Sequence, residues 1–508
     1  VPSTPPDDAP PAFGDPARAG RAPVIGWYGD DFTGATDTLA TLAQAGLRAL
    51  LFLRVPGAAQ RAAAGPLDAV GIAGAARAMD PARMALELEP VGAFFASIGV
   101  RVLHYKACST FDSAPQVGNI ATAIATLRPH VRSGFVPIVG GQPNIGRWCA
   151  FSTLFAAAGA GGAVHRIDRH PTMSRHPVTP MHEADLRAHL ALQGLAEVAG
   201  FHCTAYAESA QAQAARLDAL LGPDDAATRA VLFDIVQSAD LAAVGRLIWA
   251  RARTGSLLAV GASSVVQALA AHWQAARAGA AAGTAAGTPA GSASASASAS
   301  GSGAPRAGAG AGAAGSAGPR PDDDAPAAEA LPPPPVPRAV GPVFALAGSL
   351  SPVTARQVEA AHGYERLPVD ALRLAAQDGY AADRVADAVA RLRAGRHVLV
   401  ATSGADNPVD TGRAADVAHA TAAFVARVVS AMAPIAPLRR VGIAGGDTST
   451  RVVQALDLWG LTYRSVLSAG VTLCGARSDD PALDGLELML KGGQMGTDDV
   501  FRRLADGC

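Results

Sequence analysis

The chain has 508 residues, 49% of them hydrophobic, enough for two ordinary domains with large cores. Its 42 Lys and Arg against 43 Asp and Glu leave a formal net charge of -1, so there is no global field to draw nucleic acid or an anionic membrane. The five cysteines (Cys108, Cys149, Cys203, Cys474 and Cys508) lack CxxC spacing and suit reduced thiols in a cytoplasm better than a disulfide framework or zinc site, and no apolar run is long enough to span a membrane.

Residues 1–22 are rich in Pro, Ala, Asp and Arg, lack the apolar core of a signal peptide, and are expected to form a disordered tail. Val24 to Tyr28 then reads as a strand, Gly29-Asp30-Asp31 as a turn, Phe32 to Ala45 as a helix closed by Gly46, and Leu47 to Leu53 as the next strand. Similar units follow. Strands are expected at 69–73, 100–105 and 135–139, with helices at 81–98 and 117–127. The stretch Gly140 to His182 reads as irregular, and alternation resumes from Glu183 to about Trp273, with strands at 230–236 and 257–261.

Residues 274–340 are Ala-, Gly-, Ser- and Pro-rich and read as a disordered linker that cannot bury enough apolar surface to fold. Gly310, Gly312 and Gly315 in it match GxGxxG by chance, since no strand precedes them. Beyond it, strands are expected near 341–347, 364–369, 396–401 and 441–444, and helices at 352–362, 378–394, 411–432 and 447–459, with a last helix capped by Thr497. The fold class is therefore α/β, with two domains at 23–273 and 341–508, each a mostly parallel sheet flanked by helices.

Chemistry-bearing residues gather at the expected strand ends. Asp30 and Asp31 end the first strand, where one carboxylate can deprotonate a substrate hydroxyl while Thr33, Gly34 and Thr36 let polyol oxygens approach the backbone; helix capping by Asp31 is the plainer alternative. Lys106, Ser109, Thr110 and Ser113 follow another strand and suit a carboxylate or sugar acid, or form a solvated loop. Cys108 has no adjoining His and reads as a small packed residue. His165, His170, His176 and His182, with Arg166, Arg169 and Arg175 between them, lack HExxH spacing, which leaves an anion-binding loop or a solvated basic loop.

In the second half, Gly348-Ser349-Leu350-Ser351, Thr402-Ser403-Gly404, Gly445-Gly446-Asp447-Thr448 and Lys491 to Gly496 each lie at or after a strand end, as in a nucleotide cleft. The Gly445–Thr448 turn opens a helix and can meet a phosphate through free N–H groups, with Asp447 holding Mg²⁺; an ordinary capped βα turn is the alternative. A GxxxxGK[ST] P-loop and the protein-kinase HRD…DFG set are both absent.

GDDFTGATD, YKACSTFDS, RHPVTPM, GSLSPVTARQ, GGDTS and LKGGQMG, in this order, resemble the four-carbon acid sugar kinases over about 24–273 and 341–505. The resemblance implies a cytoplasmic ATP- and Mg²⁺-dependent kinase for threonate, erythronate, 3-oxo-tetronate or a branched oxo-acid such as 3-oxo-isoapionate. It also implies a homodimer, with no nucleic-acid or membrane partner. It implies substrate contacts from Asp30, Asp31, Arg54 and Lys106 to Thr110 (Cys108 and Ser109 included), and ATP contacts from Ser349 or Ser351, Gly445, Gly446, Asp447, Thr448, Gly493 and Gly496. Met495-Gly496 stands where many relatives have Phe-Gly, and the long linker is the larger departure. Two other classes compete: a non-catalytic sensor of sugar acid and nucleotide, and a nicotinamide-dependent oxidoreductase, the latter disfavoured by the lack of a glycine fingerprint in folded sequence.

Overall fold

The structure, a computed structural model, describes residues 22–159, 161–176, 178–222, 228–286, 334–348, 351–403 and 414–508. The first half contributes β1 (Ile25–Gly29), β2 (Ala49–Phe52), β3 (Ala69–Ala73), β4 (Val102–Lys106), β5 (Phe135–Val139), β6 (Arg147–Ala150), β7 (Thr153–Ala157), β8 (Val164–Arg166), β9 (Val198–Phe201), β10 (Arg229–Phe233) and β11 (Leu257–Gly261). The second contributes β12 (Phe344–Ala347), β13 (Tyr364–Asp370), β14 (His397–Ser403), β15 (Arg440–Ala444), β16 (Gly460–Ser468), β17 (Val471–Arg477) and β18 (Glu487–Lys491). Strands β1, β3, β4, β5 and β11 are buried at every residue, as parallel strands covered by helices on both faces must be. The helices start where local chemistry allows. Asp31 caps Phe32–Gln44, Asp80 with Pro81 opens Pro81–Ser97, and Ser351 with Pro352 opens Pro352–Glu359.

Among the described residues, 15 strands form one sheet in the order β13-β14-β12-β15-β18-β17-β16-β2-β3-β1-β4-β11-β5-β10-β9. The halves join where β16 runs antiparallel to β2, with Leu461 opposite Leu51 and Gly460 opposite Phe52. Leu53 N–H donates to Trp459 O at 3.2 Å, and the Phe52 and Trp459 rings stack at 6.0 Å. One buried apolar cluster runs from Trp27 and Leu51 to Ile443 and Leu461, so the two halves share a core.

Three segments depart from the sequence reading. The helix expected over 447–459 stops at Ala455, and Trp459 and Gly460 lead into the antiparallel hairpin β16–β17; Trp459 is drawn away by the first half's β2. The expected linker at 274–340 is ordered at both ends. Helix Ser264–Ala286 continues through its Ala-rich start, Ala being the strongest helix former, and Val336 exchanges backbone hydrogen bonds with Cys508 at 2.9 and 3.0 Å. Residues 287–333, the GxGxxG match within them, and the tail 1–21 lie outside the described residues.

The third departure is the stretch 140–182, where β6, β7 and β8 form a separate antiparallel sheet. Its first turn places Phe151 (φ 47°) and Ser152 (φ 65°) in the left-handed region, which costs free energy unless something holds it. The fully buried Asp234 carboxylate does so, accepting the N–H groups of Phe151 at 2.7 Å, Ser152 at 2.9 Å and Cys203 at 3.2 Å. Asp234 lies far along the chain, so nothing local announces the hairpin. Asp234→Ala, which takes the acceptor from those donors, is expected to cost about 2–4 kcal/mol by urea denaturation. An unchanged unfolding midpoint would remove Asp234 as the pin.

Candidate functional site

Parallel pairing in the first half places Gly29 opposite both Ala73 and Lys106, and Lys106 opposite Gly261. The loops that follow these residues therefore emerge together at the carboxyl edge of the sheet, where α/β folds hold ligands. Asp30 and Asp31 leave β1 there. Asp31 caps its helix through Oδ1, which accepts Gly34 N–H at 2.8 Å, while Oδ2 accepts the Thr33 hydroxyl at 2.9 Å.

The group that organises this edge is Arg77, in the loop after β3. Its guanidinium holds Asp30 in a bidentate pair, Nη2 to Oδ1 at 2.8 Å and Nε to Oδ2 at 3.2 Å, and reaches Asp31 Oδ2 through Nη1 at 2.9 Å. Sequence reasoning missed it. The available signal was its position after a parallel strand, the criterion that selected Asp30 and Lys106. Burial pushes the Asp30 carboxyl above its usual range, more than Arg77 and Lys106 pull it down. For Asp31 burial also pushes upward, but Arg77, Lys106, the Thr33 hydroxyl and the Gly34 N–H outweigh it and hold the carboxyl below its usual range. Asp31 is also the more open of the two, its side chain 16% exposed against 6% for Asp30.

Lys106 points into the same cluster. A methyl carbon built on Gly34 would crowd Lys106 Nζ and lie 2.5 Å from Asp31 Oδ1, so a side chain there would displace the cluster. Beyond Lys106, Cys108 Sγ lies 3.0 Å from Thr110 Oγ1, and Thr110 donates to Asp112 Oδ1 at 2.6 Å; Ser109 is half-buried in the same turn. Burial pushes the Cys108 thiol up to about 11, in keeping with a packed residue rather than a nucleophile. The Arg147 guanidinium donates to the carbonyls of Ile145, Gly146 and Ala157, and Gln142 donates to Asp37 at 3.1 Å. Arg54, by contrast, is exposed after β2 and among the described residues makes no hydrogen bond or ion pair with this cluster.

Two of the histidines of 165–182 serve the local chain. His170 Nδ1 accepts the N–H groups of Thr172 and Met173, and His176 Nδ1 accepts that of Thr179. Among the described residues, no group of three or more His, Cys, Asp or Glu is arranged to hold a metal, and no helix is long and apolar enough to cross a membrane.

The second half builds a comparable edge. Parallel register sets Ala347 opposite Ala401 and Ala444, and Ala444 opposite Lys491, so the glycines that follow β12, β15 and β18 share one side. Gly445 (φ 134°) turns the chain into helix Gly446–Ala455, leaving that helix's first N–H groups without a side-chain cap. Gly348 faces Thr448, whose Oγ1 would lie 2.7 Å from a methyl carbon there. Ser351 caps its own helix by accepting Thr354 N–H at 3.1 Å, and both Ser351 and Thr354 donate to Gly493 O. Gly496 (φ 88°) sits against Gln357 and Ser468; Gln357 Oε1 and the hydroxyls of Ser468 and Ser449 are buried without a partner among the described residues. Such an uncapped, glycine-lined edge with orphaned polar atoms fits a polyanionic nucleotide. Ser349, Gly404 and the Asp447 side chain lie outside the described residues.

The halves also meet away from the β2–β16 joint. A methyl carbon on Gly470, in the β16–β17 turn, would lie 3.8 Å from Ile145 Cγ2 of the first half and 2.0 Å from Met495 Cε of the second. Gly159, after β7, approaches Val353 beside Ser351, with a methyl carbon there 3.9 Å from Cγ2.

Comparisons with known proteins agree with this division. Residues 25–269 match a sugar-binding N-terminal domain and residues 344–501 a nucleotide-binding C-terminal domain. The chain is 35% identical to a 3-oxo-isoapionate kinase of Paraburkholderia graminis, over 95% of this chain and 94% of that one. It is 31% identical to a 3-oxo-tetronate kinase of Methylobacterium radiotolerans, over 95% and 99%. In fold it resembles a Salmonella typhimurium LT2 protein, with a TM-score of 0.67 at 21% identity over 94% of this chain and 98% of that one. A Haemophilus influenzae protein gives 0.61 at 20% identity over the same shares.

Arg77→Met removes the cation from two adjacent carboxylates and is expected to cost about 3 kcal/mol at pH 7. Both carboxyls would then titrate above their unfolded values, so the variant regains stability as pH falls, while the wild type loses the contribution of its depressed Asp31. The difference between the two should narrow on acidification in thermal melts followed from pH 7 to 4. A gap that is constant with pH would show that Arg77 does not neutralise the pair.

Proposed function

The chain belongs to the four-carbon acid sugar kinase family, and we propose that it transfers the terminal phosphoryl group of Mg-ATP to a hydroxyl of a 3-oxo-tetronate or of a branched relative such as 3-oxo-isoapionate, with Asp31 as base. It is a sugar-acid kinase; the acid, the cofactors and the residue roles are our reading. The Arg77 bridge across Asp30 and Asp31 carries it. It leaves Asp30, locked bidentate, as an anchor, and Asp31, ionised and more open, as the carboxylate that accepts the hydroxyl proton. A strong base is not needed, because phosphoryl transfer rests mainly on positioning and neutralisation of charge.

In this reading Lys106, Ser109 and Thr110 hold the acid's carboxylate and hydroxyls, Cys108 packs beneath them, and Arg54 contributes from the rim. Ser351, Gly445, Gly446, Thr448, Gly493 and Gly496 cradle ATP. Mg²⁺ supplies neutralisation of the phosphates when bound, and Asp447 is the carboxylate offered to it; Mg²⁺ commonly takes only one or two protein carboxylates, so a pre-built cluster is not required. The approaches of Ile145 to Gly470 and Gly159 to Val353 support a cleft with acceptor and donor on facing sides. A cytoplasmic setting, supported by five free thiols, and a two-chain assembly complete the proposal.

ADP release with Mg-ATP against four- and five-carbon sugar acids and their 3-oxo forms should show turnover on a 3-oxo acid. Turnover confined to acids without the oxo group would overturn the substrate class. On the preferred acid, Asp31→Asn should lower kcat by roughly a hundredfold or more. Full turnover by that variant would remove Asp31 as base.

A further inference from the structure

Lys491 ends β18, in the row it shares with Ala444 and Ala347. Its side chain is fully buried, and its Nζ donates to Thr354 Oγ1 at 3.1 Å. Thr354 passes its own proton to Gly493 O at 3.0 Å, a carbonyl that Ser351 also uses. Among the described residues, no carboxylate pairs with this ammonium from β15, β17, helix Pro352–Glu359 or helix Gly446–Ala455, the Asp447 side chain lying outside them. Burial alone acts on it and pushes its pKa down to about 8. Two of the chain's arginines are held by carboxylates instead. Arg440 is paired with Glu487 at 2.6 Å, and Arg77 is paired twice. Burying an uncompensated charge is costly, and among the described residues the ammonium's one hydrogen bond is to Thr354.

The surroundings of Lys491 add positive potential. Gly445 N–H donates to Lys491 O at 2.9 Å, so the uncapped start of helix Gly446–Ala455 stands directly on the lysine's backbone. Thr354 lies in the first turn of helix Pro352–Glu359. Two helix starts and an unpaired buried ammonium thus meet at one point, and each favours an anion.

Resting on the nucleotide-binding reading, we propose that Lys491 is the phosphate-binding cation of the second half, its ammonium pairing with a phosphate oxygen of the bound nucleotide. The phosphate supplies the counter-charge the fold withholds, and the lysine contributes neutralisation to phosphoryl transfer. Pairing restores the ammonium's preference for its proton. At pH 8, where the amine of the free protein is partly deprotonated, binding ATP therefore draws in a proton.

Calorimetric titration of the full chain at pH 8, in two buffers of different ionisation enthalpy, tests this with ATP and with adenosine. The expected result is proton uptake with ATP and none with adenosine. Lys491→Met should weaken ATP by roughly ten- to a hundredfold, leave adenosine unchanged, abolish the uptake, and raise the melting temperature of the nucleotide-free protein. Unchanged ATP affinity in the variant, or an equal loss for adenosine and ATP, would make Lys491 a strut for the Thr354 loop and overturn the proposal. Should the variant fail to fold, absence of proton uptake by the wild type overturns it instead. A wild type that binds ATP while the variant loses nothing fails only this proposal, whereas a wild type that binds no ATP fails the nucleotide reading as well.

Discussion

The parallel pairing of β1 with β3 and β4 sets Gly29, Ala73 and Lys106 in one row, and the first half's chemistry hangs from that row. Because the three strands end level, Asp30, Asp31, Arg77 and Lys106 leave the sheet within reach of one another. Arg77 can then span both carboxylates. Without the level ends, two adjacent acids would repel each other in a desolvated pocket, and one would have to take up a proton.

The second half repeats the geometry and reverses the charge logic. Ala347, Ala401, Ala444 and Lys491 also end level, yet among the described residues the lysine there meets a hydroxyl and no carboxylate. The first edge is internally neutralised and suits a small acid with hydroxyls, held by balanced donors and acceptors. The second adds a buried ammonium at Lys491 to the helix starts, and a polyphosphate would pair with both. That asymmetry suits the proposed acceptor and donor sites.

Joining the edges is the task of the pieces that look least regular. The hairpin β16–β17 carries the second half's sheet onto β2, and its turn at Gly470 lies between Ile145 and Met495. The small β6–β7–β8 sheet brings Gly159 to Val353, and Asp234 holds its strained first turn. A buried carboxylate on one strand thereby steadies a contact with the other half, although neither Phe151 nor Ser152 belongs to either edge.

Much of the architecture was legible because its signals are local. Buried parallel strands such as 69–73, 135–139 and 257–261 read as continuous apolar runs closed by turn residues, and the helices begin at Asp31, Asp80 and Ser351 for capping reasons visible within a few residues. The family motifs, with the Asp, Lys and Gly positions they contain, are also properties of the chain as written. What the sequence could not settle depends on partners distant in the chain. Arg77 acquires its role only when β3 is laid beside β1. Arg54, named by resemblance, lies exposed after β2, apart from the ion-pair cluster. Trp459 abandons its helix for Phe52, and the 140–182 hairpin needs Asp234. Composition and short-range pattern thus determined the fold class, the strand ends and the candidate acids. Tertiary structure alone decided which charges are paired and which, like Lys491, are left without a counter-charge among the described residues, because the free energy of a buried ion depends on what long-range folding places beside it.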